Sequence, residues 1–126
     1  MRSLNLDTVE FKDTDLAHLK GLTGLQELSL GSTPTTDAGV AHLRGLYRLQ
    51  NLDLWETEVT DAGVAHLQAL SDLRRLDLTN TVVTDAGLVH LHGLTKLESL
   101  HLKGTKATAA GAKALIVALP ALKIVR

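Results

Sequence analysis

The chain has 126 residues, 44% of them apolar and 21% charged, with a net charge of −1, no cysteine and only 2% aromatic residues. This balance is typical of one soluble domain, and it excludes disulfides, thiolate metal sites and the basic stripe that drives nucleic-acid binding. No apolar run approaches the roughly 20 residues of a membrane span, and no signal-peptide core begins the chain, so we expect a cytoplasmic protein without membrane partners.

Residues 1–24 form the first and least regular copy of a unit that recurs every 24 residues. Leu4 and Leu6 occupy strand positions, whereas Val9 and Lys12 stand where later copies have threonine. Terminal repeats are usually atypical because one of their faces has no neighbour. We expect the first strand to begin almost at the first residue.

Regular copies follow at residues 25–48, 49–72 and 73–96, each opening with Leu-x-x-Leu-x-Leu. The alternation has the two-residue period of a short strand, with leucines inward and the residues between them exposed. Because the spacing is fixed, successive strands are predicted to stack in parallel. A threonine follows each strand, and its hydroxyl is expected to satisfy loop backbone groups. These threonines are Thr33, Thr57, Thr81 and Thr105.

A Thr-Asp-Ala-Gly sequence then predicts a short helix in each regular copy. Threonine is a good N-cap, and aspartate is favoured near the positive end of the helix dipole. Glycine after the helix, at Gly21, Gly45 and Gly93, predicts a left-handed helix end. Ala69 takes that position in the third copy, so we expect a different turn there.

The fifth copy, residues 97–121, is richer in alanine and ends in a more continuously apolar segment. We expect this segment to form a helix that partly covers the last layer. One residue is inserted near Pro120, after which residues 122–126 repeat the start of the unit as a partial sixth strand.

The consensus Leu-x-x-Leu-x-Leu-x-x-Thr-x-Val-Thr-Asp-Ala-Gly-Val-x-x-Leu resembles a leucine-rich repeat of the short bacterial type, with threonine in place of asparagine or cysteine. The resemblance covers the whole chain. It implies an α/β fold in one domain, a right-handed solenoid of about five repeats with a parallel concave sheet and short convex helices. It implies little about function, because such proteins bind many kinds of partner.

Histidine recurs at one helix position in four successive copies, and aligned histidines can bind a metal ion. Repetition alone places any residue in a column, so we interpret these side chains as packing between helices and predict no metal site. They are His18, His42, His66 and His90. His92 is expected to be exposed. No nucleophile or phosphate-loop motif occurs, so we also predict no enzyme activity and no cofactor.

The copies differ on the outward face of the strands, where the repeat fixes nothing. Trp55, the only tryptophan, and Arg75 belong to the residue types that dominate binding hot spots. We predict that they centre a partner-binding face and that Trp55 points outward, although it could instead shield its neighbours. The predicted face comprises Trp55, Arg75, Asp53, Asp77, His101, Asn51, Thr79 and Lys103.

Neighbouring Asp53 and Asp77 allow two interpretations, an acid–base pair that shares a proton or an ion-paired surface with Arg75. The ion-paired surface is the simpler hypothesis. The sequence therefore predicts a non-enzymatic module that binds a protein or peptide on its concave sheet. The alternative is a structural or engineered repeat fragment that forms homo-oligomers through poorly capped terminal repeats.

Overall fold

A computed structural model describes all 126 residues of the chain. Six parallel strands form one open sheet in sequential order. Strands β1 to β6 are Ser3–Asn5, Glu27–Ser29, Asn51–Asp53, Arg75–Asp77, Ser99–His101 and Lys123–Val125. Every strand pairs with the next at an offset of 24 residues, which confirms the predicted parallel stacking of the repeats.

Short helices form the layer opposite the sheet. A 3₁₀-helix covers Asp13–Gly21 in the first repeat, and a short 3₁₀ turn covers Leu67–Ala69 in the third. The α-helices are α1 at Asp37–Ala41, α2 at Asp61–His66, α3 at Asp85–Val89 and α4 at Ala109–Ala118. No helix combines the length and the apolar character needed to cross a bilayer.

Leucine and valine side chains fill the space between the two layers in one continuous cluster of 28 buried residues. No aromatic side chain belongs to this cluster, and Phe11 only packs against its edge. A single repeat is too small to bury its own apolar face, so each layer of leucines depends on the layers beside it.

The threonine after each strand satisfies the backbone of its own loop, as expected. The Thr57 hydroxyl donates to the Leu54 carbonyl oxygen at 2.7 Å, and the three equivalent threonines bond in the same way. The residue just before each of these threonines adopts a left-handed backbone conformation, with φ of 53° at Glu56 and 58° at Asn80. The sequence did not predict this left-handed conformation, because three of the four positions hold residues other than glycine.

The aspartate of each helix start bonds to the next repeat, a role that the helix dipole alone did not predict. Asp37 accepts hydrogen bonds from the backbone N–H of Thr60 at 2.7 Å and from its hydroxyl at 2.6 Å. We call this series the Asp–Thr ladder, and its other pairs are Asp13 with Thr36, Asp61 with Thr84 and Asp85 with Thr108. The ladder links the helix starts of all five repeats.

The predicted threonine N-caps form in part. The hydroxyls of Thr60 and Thr84 each accept a hydrogen bond from the backbone N–H two residues later, whereas Thr36 accepts none. The hydroxyls also donate to the ladder, so each threonine joins its own helix to the preceding repeat. The two roles explain why threonine suits this position better than an N-cap that only accepts.

The predicted left-handed helix ends are wrong. Gly104 is the only glycine with a positive φ, so Gly21, Gly45 and Gly93 do not use the freedom of glycine. In the first four repeats the chain instead leaves the helix through a 3₁₀-type bond, such as Leu46 N to Leu43 O at 2.9 Å. Because this turn needs no positive φ, Ala69 fits the third repeat with the equivalent bond, Leu70 N to Leu67 O at 2.9 Å. The turn there nevertheless differs slightly, as expected, because only this repeat continues its helix into the 3₁₀ turn Leu67–Ala69.

Candidate functional site

The candidate site lies on the outward face of the sheet, where strand register sets the neighbours. Asn51 pairs with Arg75 and Asp53 with Asp77, and Asp77 pairs in turn with His101. The structure therefore places these five predicted residues on three adjacent strands. The other three, Trp55, Thr79 and Lys103, lie two positions beyond the last outward strand residue of their own repeats.

Arg75 joins the two central carboxylates. Its Nη1 lies 3.2 Å from Asp53 Oδ1, and its Nη2 lies 3.8 Å from Asp77 Oδ2. Asp77 also accepts a hydrogen bond from the backbone N–H of Thr79 at 2.9 Å. This geometry fits the ion-paired interpretation, because a shared guanidinium removes the need for a shared proton between the two acids.

The surroundings of Asp53 disfavour the ionised form of its carboxylate. Burial raises its pKa, Arg75 lowers it, and the like charges of Asp77 and Asp7 raise it further. The net direction is upward, so the fold favours the protonated form of this side chain more than water does.

Asp53→Asn is expected to gain stability relative to the wild type as pH rises. A raised folded-state pKa means that the wild type loses stability as Asp53 ionises, whereas Asn does not titrate. Unfolding at pH 3 and pH 7 measures the difference, which we expect to be below about 1 kcal/mol for so partly exposed a site.

Asp72 supplies a control of opposite sign, because the hydrogen bond and charge of Lys96 lower its pKa. Asp72→Asn should therefore lose stability relative to the wild type over the same pH interval. If the stabilities of Asp53→Asn and Asp72→Asn, each relative to the wild type, changed with pH in the same direction, the assigned causes of the two pKa shifts would be wrong.

Trp55 was expected to point outward, but its side chain lies against the preceding repeat and does not project fully into solvent. Its indole packs against the backbone of Gly31 in the preceding repeat, so closely that a Cβ there would overlap three indole atoms. The side chain is half-buried as a result. Trp55 thus shields Gly31 on one side and remains accessible on the other.

A shallow depression of about 200 Å³ lies on the same face, nearer the first repeats. Only three predicted residues, Asn51, Asp53 and Arg75, line it. The lining residues that were not predicted are Ser3, Leu4, Asn5, Glu27, Leu28 and Ser29. The repeat places Ser3, Asn5, Glu27 and Ser29 on the same outward face as Asn51 and Asp53, but none of them is a tryptophan or an arginine, the residue types that marked the predicted centre.

Ser29 and Asp7 organise the floor beside this depression. One carboxylate oxygen of Asp7 accepts hydrogen bonds from the Ser29 hydroxyl and from the backbone N–H of Gly31, the latter at 2.8 Å. Glu27 Oε2 accepts from Asn51 Nδ2 at 3.1 Å. The polar groups of four adjacent strands are therefore connected before any partner arrives.

The histidine column lies on the convex side. His90 Nδ1 is 2.7 Å from Gln68 Nε2, while His42 and His66 are half-buried and His18 is exposed. No group of three or more His, Cys, Asp or Glu side chains is placed to hold a metal ion. His92 was expected to be exposed but is half-buried, because it lies in the turn between Leu91 and Leu94, which point inward.

The chain is similar to known repeat proteins. The sequence profile of the family described as leucine rich repeat matches residues 47–106. No curated protein matches the chain.

Among solved structures, internalin C2 from Listeria monocytogenes is 27% identical with a TM-score of 0.67, over 86% of this chain and 44% of that one. A second internalin from the same species is 18% identical, with a TM-score of 0.51 over 99% of this chain and 47% of that one. A leucine-rich repeat protein from Leptospira interrogans is 22% identical, with a TM-score of 0.62 over 98% of this chain and 36% of that one. The last two identities establish the fold alone, and this chain spans less than half of each structure.

Proposed function

We propose that this chain, which is similar to bacterial leucine-rich repeat proteins, is a non-enzymatic module that binds a protein or peptide on its concave sheet. Leucine-rich repeat proteins are in general interaction modules without catalytic activity. The proposal adds the face on which this chain binds and the side chains that carry the binding.

One observation carries the proposal. The repeat fixes the core, the loops and the Asp–Thr ladder, but it leaves the outward strand positions variable, and there Trp55 lies two positions beyond the Arg75-linked carboxylates. Tryptophan and arginine are the residue types that dominate binding hot spots, and both lie on this face. The half-buried indole packs on Gly31, so its area is already ordered before the partner arrives. We infer that Trp55 and Arg75 anchor the partner.

The remaining predicted residues would surround these anchors. Asp53 and Asp77 hold the Arg75 guanidinium in place, and Asn51, Thr79, His101 and Lys103 supply polar groups around them. Charged groups at the rim orient a partner and speed its encounter more than they add affinity.

Trp55→Ala is expected to weaken partner binding by roughly 2 kcal/mol or more. A pull-down from the native source, with wild-type and variant chains as bait, measures the loss. Because Trp55 packs on Gly31, its removal also takes away a contact within the fold. Binding is therefore compared at a temperature well below the thermal unfolding midpoint of the variant. Gln68→Ala on the convex side is the control and should retain the partner. Retention by Trp55→Ala together with loss by Gln68→Ala would mean that the convex face binds.

Self-association is the second candidate function. The end strands β1 and β6 each pair on one side only, and unpaired strand edges are templates for pairing with another chain. Association of this kind depends on concentration and should be unaffected by Trp55→Ala. Light scattering over a concentration series distinguishes it from binding on the concave face.

A further inference from the structure

Charge is divided between the two ends of this solenoid. Residues 97–126 contain five Lys or Arg and one Glu, whereas residues 1–96 contain eight Lys or Arg and thirteen Asp or Glu. The division is not visible within any single repeat, because every copy carries some charge. On the folded chain it becomes a polarity along the solenoid axis.

The concave face shows the same division more sharply. Its four carboxylates lie on the first four repeats, at Asp7, Glu27, Asp53 and Asp77. Beyond the fourth repeat this face has no acid, and it carries the exposed cations Lys103 and Lys123.

The fold leaves most of these charges without a counter-charge. On the concave face of the first four repeats, which we call its acidic half, Arg75 is the only cation, and it is already paired with Asp53 and Asp77. Glu27 forms no salt bridge, and neither Lys103 nor Lys123 forms one. Both halves therefore have charge available for a partner, and of opposite sign.

The depression lies within the acidic half. Glu27 and Asp53 line it together with hydroxyl and amide groups and with Arg75, whose charge Asp53 and Asp77 already engage, so Glu27 is the lining carboxylate that is left without a cation. Hydrogen-bond acceptors beside carboxylates suit a guanidinium or ammonium group, which carries several donors and no acceptor. A cationic side chain would supply the counter-charge that Arg75 alone does not provide.

We propose that the partner segment runs across the strands, with a cationic side chain over the depression on β1 to β3 and an anionic group over Lys103 and Lys123. This inference rests on the proposed binding at the concave face and adds the orientation of the partner. Strands β2 and β6 are four strand spacings apart, which is about 19 Å at a spacing of about 4.8 Å. An extended segment of about six residues covers that distance.

The test uses a designed probe, the acetylated and amidated peptide Arg-Arg-Gly-Ser-Gly-Ser-Glu-Glu. It carries a nitroxide on an added cysteine, placed in one version beside the arginines and in the other beside the glutamates. The protein has no cysteine, so the spin label stays on the peptide. Amide signals of the isotope-labelled protein are recorded at low salt, where charge interactions are least screened.

The label beside the arginines is expected to remove the amide signals of Ser3 and Glu27, and the label beside the glutamates those of Lys103 and Lys123. In the double variant Lys103→Gln and Lys123→Gln, the second effect should be lost and the first retained. Both substituted side chains are exposed, so the variant should fold.

The other outcomes separate the two proposals. If both labels remove signals from both halves of the concave face equally, the polarity is wrong while the binding face stands. Signal loss confined to α1, α2 and α3 contradicts both. If neither label removes any signal, the proposed orientation of the partner is wrong, because the charges of the concave face do not bind the probe. The pull-down with Trp55→Ala then decides separately whether the concave face binds the partner.

Discussion

Leu52→Ala and Leu76→Ala are each expected to lower the free energy of unfolding by about 2–5 kcal/mol. Both side chains have 0% exposure at the centre of a strand, and they are neighbours in the strand register. Each substitution leaves a cavity in a leucine layer that has no aromatic side chain to move into it. Chemical unfolding measures the loss.

An exposed apolar position supplies the matched control for this pair. Val82 is 48% exposed, so Val82→Ala should change the free energy of unfolding by no more than about 0.5 kcal/mol. An unchanged unfolding midpoint for either leucine variant would show that the strand leucines do not hold the repeats together.

Gly63→Ala is expected to lower the free energy of unfolding by about 1–3 kcal/mol, because it overfills a tight contact. A Cβ at this position would overlap the Asp37 carboxylate, which bonds Thr60, and would also press on Val59. The backbone has no positive φ here, so the cost comes from crowding the Asp–Thr ladder.

Gly45→Ala makes the same chemical change in open space. No atom lies within 4 Å of a Cβ at Gly45, and its φ is not positive. This control should gain about 0.4–1 kcal/mol, because alanine restricts the unfolded chain.

A double-mutant cycle assigns the cost at Gly63 to the ladder. In an Asp37→Ala background the added methyl group at position 63 meets a smaller neighbour, so Gly63→Ala should cost less there than in the wild type. Equal costs in the two backgrounds, or a Gly63→Ala variant as stable as Gly45→Ala, would show that the carboxylate moves aside without loss.

The strands and their order could be predicted because they depend on spacing alone. A period of 24 residues places Leu28 beside Leu52 whatever the loops between them do. The same argument placed Asp53 beside Asp77, so the neighbours within the candidate site were predictable.

The glycines could not be assigned correctly from sequence, because glycine has two separate uses. It permits a positive φ, and it also removes a Cβ where another group approaches. Gly63 has the second use, and Gly45 has neither. Only the distance between stacked repeats, which no single repeat specifies, tells these positions apart.

Side-chain direction limited the prediction of the site in the same way. The two-residue period puts Trp55 on the outward face, but it does not say that the indole turns onto Gly31. The depression depends on small neighbours around Glu27 and Asp53, so it is visible only after the strands are assembled. Because every repeat carries some charge, the division of charge on the concave face shows only when the strand register places the outward residues side by side.

The central claim is that the concave sheet binds the partner, and hydroxyl-radical footprinting of the complex tests it directly. Trp55 and His101 report on the concave face, whereas Tyr47, 52% exposed, and the half-buried His66 lie outside it. The partner recovered by pull-down should slow oxidation of Trp55 and His101 and leave Tyr47 and His66 unchanged. Protection of Tyr47 and His66 with unchanged oxidation of Trp55 would contradict the claim.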